Sequence, residues 1–282
     1  MELRFGYGTN GFTQHRLSDV LAILADLGYD GVALTLDHVH LDPYADDLAR
    51  QVARVRGQLE RCGLTVTVET GAPYLLDPYG RHLPTLTGRS GAERRIDLLR
   101  RAVRIAADLG SPTVHLCSGP APDGMAEREA LERLARGIEA VLGTAAAYGV
   151  ALAFEPEPDM FIDTVERCLE LRRLVGGNEL FGITLDIGHA YCVEDLPLLE
   201  CVRRAAPYLL NVQIEDMRRG VHRHLELGDG EIDFAPVLGA LRELGTRGLV
   251  SVEIQGGAPD APDVARRSIE FLRRHTHDSR PA

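Results

Sequence analysis

The sequence predicts a single-domain α/β protein folded as a closed (β/α)8 barrel of the TIM type. Short apolar runs alternate with amphipathic segments along the whole 282-residue chain, eight of each. Glycine repeatedly stands between an amphipathic segment and the next apolar run. Because strictly alternating strands and helices with short links favour a parallel sheet, eight such units without a linker predict a barrel.

The predicted strands are short apolar runs bounded by glycine or polar residues. They are Leu3–Gly8, Gly31–Leu36, Leu64–Glu69, Thr113–Cys117, Ala151–Glu155, Gly182–Asp186, Leu209–Glu215 and Leu249–Ile254. The predicted helices carry apolar residues at helical spacing. They lie near Leu17–Leu27, Ala45–Arg61, Ala92–Leu109, Arg128–Tyr148, Val165–Val175, Asp195–Ala206, Phe234–Leu244 and Val264–Arg274. We assign residues 1–275 to the barrel and residues 276–282 to a frayed C-terminal tail.

The junctions support this assignment independently of the strands. Five of them place glycine just after a helix, where a left-handed backbone ends the helix, as in Leu27-Gly28 and Tyr148-Gly149. A doubly wound open sheet is the alternative fold, and it requires a glycine-rich first turn. Gly6-Tyr-Gly8-Thr-Asn-Gly11 resembles such a turn only by chance, because the second strand ends in Thr35-Leu36 without an acidic residue for a ribose.

Composition excludes several classes of function. A net charge of -11 disfavours nucleic acid as a partner, since that affinity comes mostly from basic surface. The chain has no lysine, which excludes Schiff-base aldolases and pyridoxal-phosphate enzymes. Five cysteines without CxxC spacing fit a reduced cytosol, and no apolar segment is long enough for a bilayer or a signal peptide. We expect a cytoplasmic protein without a membrane partner; the sequence leaves homo-oligomer formation open.

The last four predicted strands each bring a carboxylate or carboxamide to the C-terminal rim, where barrels keep their active sites. The four residues are Glu155, Asp186, Gln213 and Glu253. Crowded carboxylates repel one another unless a cation neutralises them, so a divalent metal site is the simplest hypothesis. The alternative is that each acid caps a neighbouring helix or pairs with an arginine.

Residues 211–234 contain the densest group of polar side chains in the chain. The strand in this stretch is followed by a segment that we interpret as a loop, with Arg219, His222 and His224 before a Gly-Asp-Gly turn. A solvated surface loop explains the arginines but explains the His-Arg-His triplet poorly. His115, within the fourth strand, is either a hydrogen-bonded core residue or a substrate contact. Gly256-Gly257 is a weak candidate for phosphate binding.

Four motifs in the second half of the chain carry a resemblance to a known family. They are FEPEP (154–158), LDIGHA (185–190), VQIED with the following RRGVHRHLELGDGEIDF (212–234), and VSVEI (250–254). The chain resembles the xylose-isomerase-like sugar isomerases and epimerases, a superfamily shared with DNA repair enzymes of the endonuclease IV type. The resemblance covers nearly the whole barrel and says little about the substrate.

The resemblance implies a role for each matched residue. Glu155, Asp186, Gln213 and Glu253 would be the metal ligands, and the two glutamates would also be the acid and base. His189 and Arg219 match positions that contact substrate. From the residues themselves, Glu157, His222 and His224 are further candidates to bind substrate hydroxyls, and His115 is a candidate substrate contact. His222 and His224 also match the place where the endonuclease branch holds an additional zinc.

Two departures from the family pattern matter. The seventh-strand ligand is usually histidine and here is Gln213, so an all-oxygen ligand set favours Mn²⁺ or Mg²⁺, with Zn²⁺ as the alternative. The endonuclease branch has histidine where this chain has Gly71, which weighs against DNA repair. We expect a metal-dependent isomerase or epimerase that converts a keto-sugar, cyclitol or related polyhydroxy carbonyl compound through an enediolate. A lyase (dehydratase), a metal-assisted hydrolase and a binding protein with a degenerate site are the alternatives.

Overall fold

Eight parallel strands close into a barrel in the computed structural model, which describes residues 2–255 and 258–278. Each barrel strand lies next to the barrel strand that precedes it in the chain, and the two hairpin strands after the seventh stay outside the ring. The first and last barrel strands close the ring, with Phe5 paired to Val250 in parallel register. The predicted fold is confirmed. Gly256-Gly257 and the last four residues of the predicted tail lie outside the described residues.

Strands and helices alternate along the described residues, except that two helices follow the sixth strand and a hairpin follows the seventh. The strands are β1 Arg4–Gly8, β2 Gly31–Thr35, β3 Thr65–Glu69, β4 Thr113–Cys117, β5 Ala151–Glu155, β6 Phe181–Asp186, β7 Leu209–Ile214, β8 Asp216–Arg218, β9 Val221–Leu225 and β10 Leu249–Val252. The helices are α1 Leu17–Leu27, α2 Leu48–Cys62, α3 Ala92–Leu109, α4 Glu127–Tyr148, α5 Val165–Leu174, α6 Ile187–Val193, α7 Leu198–Ala205, α8 Phe234–Glu243 and α9 Ala261–Asp278.

The barrel strands are buried on both faces, which explains why they are almost continuous apolar runs. All five residues of β2 are buried, as are all six of β6. Glycine is also observed at the helix ends where the sequence predicts it. Gly28 and Gly149 end α1 and α4 with φ of 79° and 65°, a conformation that favours glycine because it has no Cβ.

Two elements correct the sequence analysis. The stretch after β7, interpreted as a loop, is an antiparallel hairpin in which β8 pairs with β9. The helix predicted at Asp195–Ala206 begins only at Leu198, and a separate short helix, α6, directly follows β6. Both corrections concern segments at the C-terminal end of the barrel, where they surround the predicted site.

Across residues 2–255 and 258–278, no helix combines the length and the apolar character that a membrane crossing requires.

Candidate active site

The four predicted metal ligands are buried at the C-terminal ends of their strands. Glu155 ends β5, Asp186 ends β6, Gln213 lies in β7 and Glu253 directly follows β10. Their exposed fractions are 2%, 1%, 1% and 8%. Parallel strands direct these ends to the same rim, so the barrel gathers three carboxyl groups and one carboxamide in a buried position.

Glu155 is held between two histidines. Its Oε2 lies 2.5 Å from Nε2 of His115, and its Oε1 lies 3.0 Å from Nδ1 of His189. Burial alone would raise the pKa of Glu155, but His115 and His189 hold it well below its ordinary range. Burial alone would lower the pKa of His115, and the Glu155 carboxylate raises it to about 9. Glu155 is therefore ionised at neutral pH.

Asp186 has two different oxygens. Oδ1 caps α6 by accepting a hydrogen bond of 2.7 Å from the backbone N–H of His189. Oδ2 is buried, and no hydrogen-bond donor among the described residues reaches it. One residue thus ends the strand, starts the helix that carries His189, and still presents an oxygen without a hydrogen bond, 3.8 Å from Nδ1 of His189.

Glu253 reaches the rim from the end of β10, whereas Glu155 reaches it from β5. Its Oε1 accepts hydrogen bonds from Nδ2 of Asn10 at 2.7 Å and from Nε2 of Gln255 at 3.2 Å. Burial and then the Glu155 charge raise the pKa of Glu253 well above its ordinary value. In the protein without a cation, the pKa values of Glu155 and Glu253 are therefore shifted in opposite directions, as in acid and base pairs of enzymes.

Gln213 is oriented by its amide nitrogen. Nε2 donates a hydrogen bond of 3.1 Å to Oε1 of Glu69, whose other oxygen accepts one of 3.3 Å from the Thr35 hydroxyl. Oε1 of Gln213 is buried, with no donor among the described residues. The carboxamide oxygen, which is the atom that can bind a cation, therefore accepts no hydrogen bond.

The β8–β9 hairpin brings two more histidines to the rim. His222 and His224 are two apart in β9 and lie on the same face, with their rings 4.9 and 5.3 Å from that of His189. Oδ2 of Asp159 lies within hydrogen-bonding distance of Nδ1 of His222, at 3.1 Å. Burial and then His189 lower the pKa of His224 to about 4, so its imidazole is neutral, the form that binds metal ions.

The remaining predicted substrate contacts differ in position. Glu157 lies close enough to Glu155 that burial, and then the Glu155 charge, raise its pKa to about 7. Arg219 instead donates hydrogen bonds to the carbonyls of Tyr191 and Glu194 in and just after α6. The structure therefore places Glu157 with the acidic cluster and ties Arg219 to the backbone beside it.

The donor atoms at the rim suit a divalent cation. Ligand atoms lie within 4.8 Å of one another in three groups: Glu155, Asp186 and His189; Glu215, His224 and Glu253; and His189, His222 and His224. Unpartnered buried oxygens also gather here, namely Asp186 Oδ2, Gln213 Oε1, Asn10 Oδ1 and both carboxylate oxygens of Glu215. Buried polar atoms are nearly always satisfied, so these oxygens fit a metal ion as their missing partner.

Sequence reasoning did not include two of these residues in the site. Asn10 follows the first strand and reaches Glu253 across the strand junction. Glu215 follows β7, and its position two residues after Gln213 was a usable signal, because side chains two apart on a strand share a face.

A comparison with known protein families decides what the barrel is. The family model for the xylose isomerase-like TIM barrel matches residues 21–275. The chain belongs to this family. The resemblance inferred from the four motifs is thereby confirmed.

Both characterised and uncharacterised proteins are similar to this chain. An uncharacterised protein of Methanocaldococcus jannaschii is 22% identical over 90% of this chain and 84% of its own length. L-ribulose-5-phosphate 3-epimerase of Shigella flexneri is 21% identical over 86% of this chain and 83% of its own. The solved D-allulose 3-epimerase from Methylomonas sp. covers 97% of both chains with 21% identity and a TM-score of 0.78.

Proposed function

We propose that the protein is a divalent-metal-dependent isomerase or epimerase of a keto-sugar, cyclitol or related polyhydroxy carbonyl compound. One observation carries the proposal: two buried glutamates with opposite protonation tendencies, Glu155 and Glu253, share one acidic site at the barrel mouth. The similarity to enzymes named 3-epimerases of ribulose 5-phosphate and allulose supports the same class of substrate.

Glu155, Asp186, Gln213 and Glu253 would hold the metal ion. Their donors are all oxygens, which favours Mn²⁺ or Mg²⁺, with Zn²⁺ as the alternative. When bound, such an ion supplies a Lewis acid that polarises the substrate carbonyl.

The two glutamates would move the proton. β5 and β10 are separated by β6 and β7 around the barrel, so Glu155 and Glu253 reach the mouth from different sides. A substrate between them can lose the proton alpha to its carbonyl to one carboxylate and receive a proton from the other carboxyl group. Return to the opposite face of the same carbon is epimerisation, and return to the neighbouring carbon is isomerisation.

The polar side chains around the pair would bind hydroxyl groups. His189 and Glu157 adjoin Glu155, and His222 and His224 surround His189 from the hairpin. Polyhydroxy compounds need many donors and acceptors in a small space, which this set offers. His115 buttresses Glu155 from β4, and Arg219 would contact substrate only by leaving its backbone partners.

Exchange of solvent deuterium tests the proton transfer. We would incubate Mn²⁺-loaded protein in D₂O with D-allulose, D-tagatose or L-ribulose and follow the substrate by NMR and mass spectrometry. The wild type and the exposed-site control Glu243→Gln should incorporate deuterium. Glu155→Gln and Glu253→Gln should each slow incorporation by about 100-fold or more, the usual contribution of a general acid or base. Full exchange by Glu253→Gln would show the two-glutamate mechanism to be wrong.

Product mass separates the epimerase from a lyase. Dehydration removes one water from the substrate, whereas epimerisation and isomerisation leave the mass unchanged. Unchanged mass with a new chromatographic product supports the proposal, and a product lighter by one water supports the lyase.

A metal-assisted hydrolase is the second candidate, and the three-histidine group favours it. His189, His222 and His224 offer nitrogen ligands within 4.8 Å of one another, which suit a second ion such as zinc. More than one tightly bound zinc per chain, together with hydrolysis in place of deuterium exchange, would support this function over the first. A metal-free protein without either activity would support a binding protein with a degenerate site.

A further inference from the structure

Glu215 is a buried carboxylate that the proposed mechanism does not use. It directly follows β7, and its exposed fraction is 0%. No hydrogen-bond donor among the described residues reaches either of its oxygens. Burying an ionised carboxylate without a partner is costly, so this side chain needs either a proton or a cation.

The backbone directs Glu215 into the same space as Gln213. Residues two apart on an extended segment share a face, and Gln213 points inward, where its amide nitrogen binds Glu69. The Gln213 side chain is neutral, and its Nε2 already donates a hydrogen bond to Glu69. Glu215 is the stronger donor of the pair, since it offers two oxygens and a negative charge.

A glycine in α6 makes room for this carboxylate. A Cβ at position 188 would overlap Oε1 of Glu215, so only glycine at 188 lets the carboxylate occupy its place. Gly188 lies between Asp186 and His189 in the segment that carries two other rim residues. The packing therefore holds Glu215 beside the acidic cluster.

The neighbours of Glu215 are themselves candidate ligands. Its Oε1 lies 4.0 Å from Nδ1 of His224, and ligand atoms of Glu215, His224 and Glu253 lie within 4.8 Å of one another. Oδ2 of Asp186 is buried nearby, also without a donor among the described residues. The neutral imidazole of His224 offers these three acids no positive charge, whereas a divalent cation would stabilise their ionised forms.

We propose that Glu215 is a ligand of the divalent ion, joining Asp186 and Glu253 and supplying the anionic donor that Gln213 lacks. The proposal rests on the metal-dependent function proposed above. An added carboxylate favours hard cations such as Mn²⁺ and Mg²⁺ over zinc.

Calorimetric titration of metal-stripped protein with MnCl₂ tests the proposal without measuring activity. Glu215→Gln keeps the shape of the side chain and removes its charge, and Glu243→Gln makes the same change at an exposed position of α8. We expect Glu215→Gln to bind Mn²⁺ at least about tenfold more weakly than the control, because even residues that only orient ligands contribute this much. Its metal-free melting temperature should equal or exceed that of the wild type, since a neutral carboxamide needs neither a proton nor a cation to be buried, unlike the carboxyl group that it replaces.

A second pair of variants changes the position of the Glu215 carboxylate and not its charge. Weaker binding by both pairs would therefore not be explained by misfolding of one variant. Gly188→Ala should weaken Mn²⁺ binding by displacing the Glu215 carboxylate, whereas Gly143→Ala in α4, with open space around it, should not. If Glu215→Gln and Gly188→Ala bind Mn²⁺ as tightly as their controls while Glu155→Gln does not, Glu215 is not a ligand and the proposed function stands. If the wild type binds no Mn²⁺ at millimolar concentration, both proposals are wrong.

Discussion

The acidic residues at the barrel mouth differ because each has different neighbours. Glu155 lies between His115 and His189, which hold its pKa well below the ordinary range despite burial. Glu253 has neutral amide partners, so burial and the Glu155 charge raise its pKa. The residue types at these positions were predictable from the strand ends. The difference in pKa between Glu155 and Glu253 was not, because it depends on contacts between segments that are distant in the sequence.

The stability of the protein should depend on pH through the buried carboxyl group of Glu157. Burial, and next the Glu155 charge, raise its pKa from 4.5 to about 7. A carboxyl group with a raised folded-state pKa favours the fold below its ordinary pKa, and this contribution is lost as the pH rises through 7. Between pH 5 and pH 8 the metal-free wild type should lose about 2 kcal/mol more unfolding free energy than Glu157→Gln.

Urea unfolding at both pH values measures this difference. Glu243→Gln, an exposed change of the same kind, should follow the wild type. Parallel pH profiles for the wild type and Glu157→Gln would contradict the raised pKa.

At the scale of elements, the hairpin is the main structure that the sequence analysis missed. Val221–Leu225 is short and polar, so it lacks the apolar pattern that identifies barrel strands. The spacing of His222 and His224 was the sequence signal for this hairpin strand, because residues two apart on a strand lie on the same face. Helix α6 was missed because it has only seven residues, and its capping residue, Asp186, was assigned solely to the metal.

Asp216 stabilises the hairpin and the turn that follows it. Its buried carboxylate accepts hydrogen bonds from the backbone N–H groups of Met217, Gly228 and Ile232 at 2.9, 2.9 and 3.1 Å. Asp216→Ala would leave these donors unpaired, and we expect a loss of about 3 kcal/mol of unfolding free energy. Asp229→Ala, at an exposed position of the same turn, should change it by less than about 0.5 kcal/mol.

Hydrogen exchange of the 216–232 segment distinguishes a local effect from a global one. Faster exchange in Asp216→Ala, with wild-type exchange in Asp229→Ala, would fit the anchoring role of the carboxylate. Equal stability and equal exchange in the two variants would exclude that role.

At the scale of the whole molecule, the barrel was the most predictable feature. Every barrel strand was placed within two residues of its observed ends, because strands buried on both faces must be apolar throughout. The location of the site at the C-terminal rim was predictable, since the parallel strands of a barrel all end at the same rim. The groups of atoms formed there were less predictable, because Asn10, Glu215 and Gln213 acquire their roles only when the ring closes.

One divalent cation should bind the buried acids at this rim. Anomalous diffraction from crystals soaked in MnCl₂ tests this claim most directly. We predict one strong anomalous peak within about 2.5 Å of carboxylate oxygens of Glu155, Asp186 and Glu253. Crystals that show no peak at the barrel mouth, with these side chains directed apart, would contradict the claim.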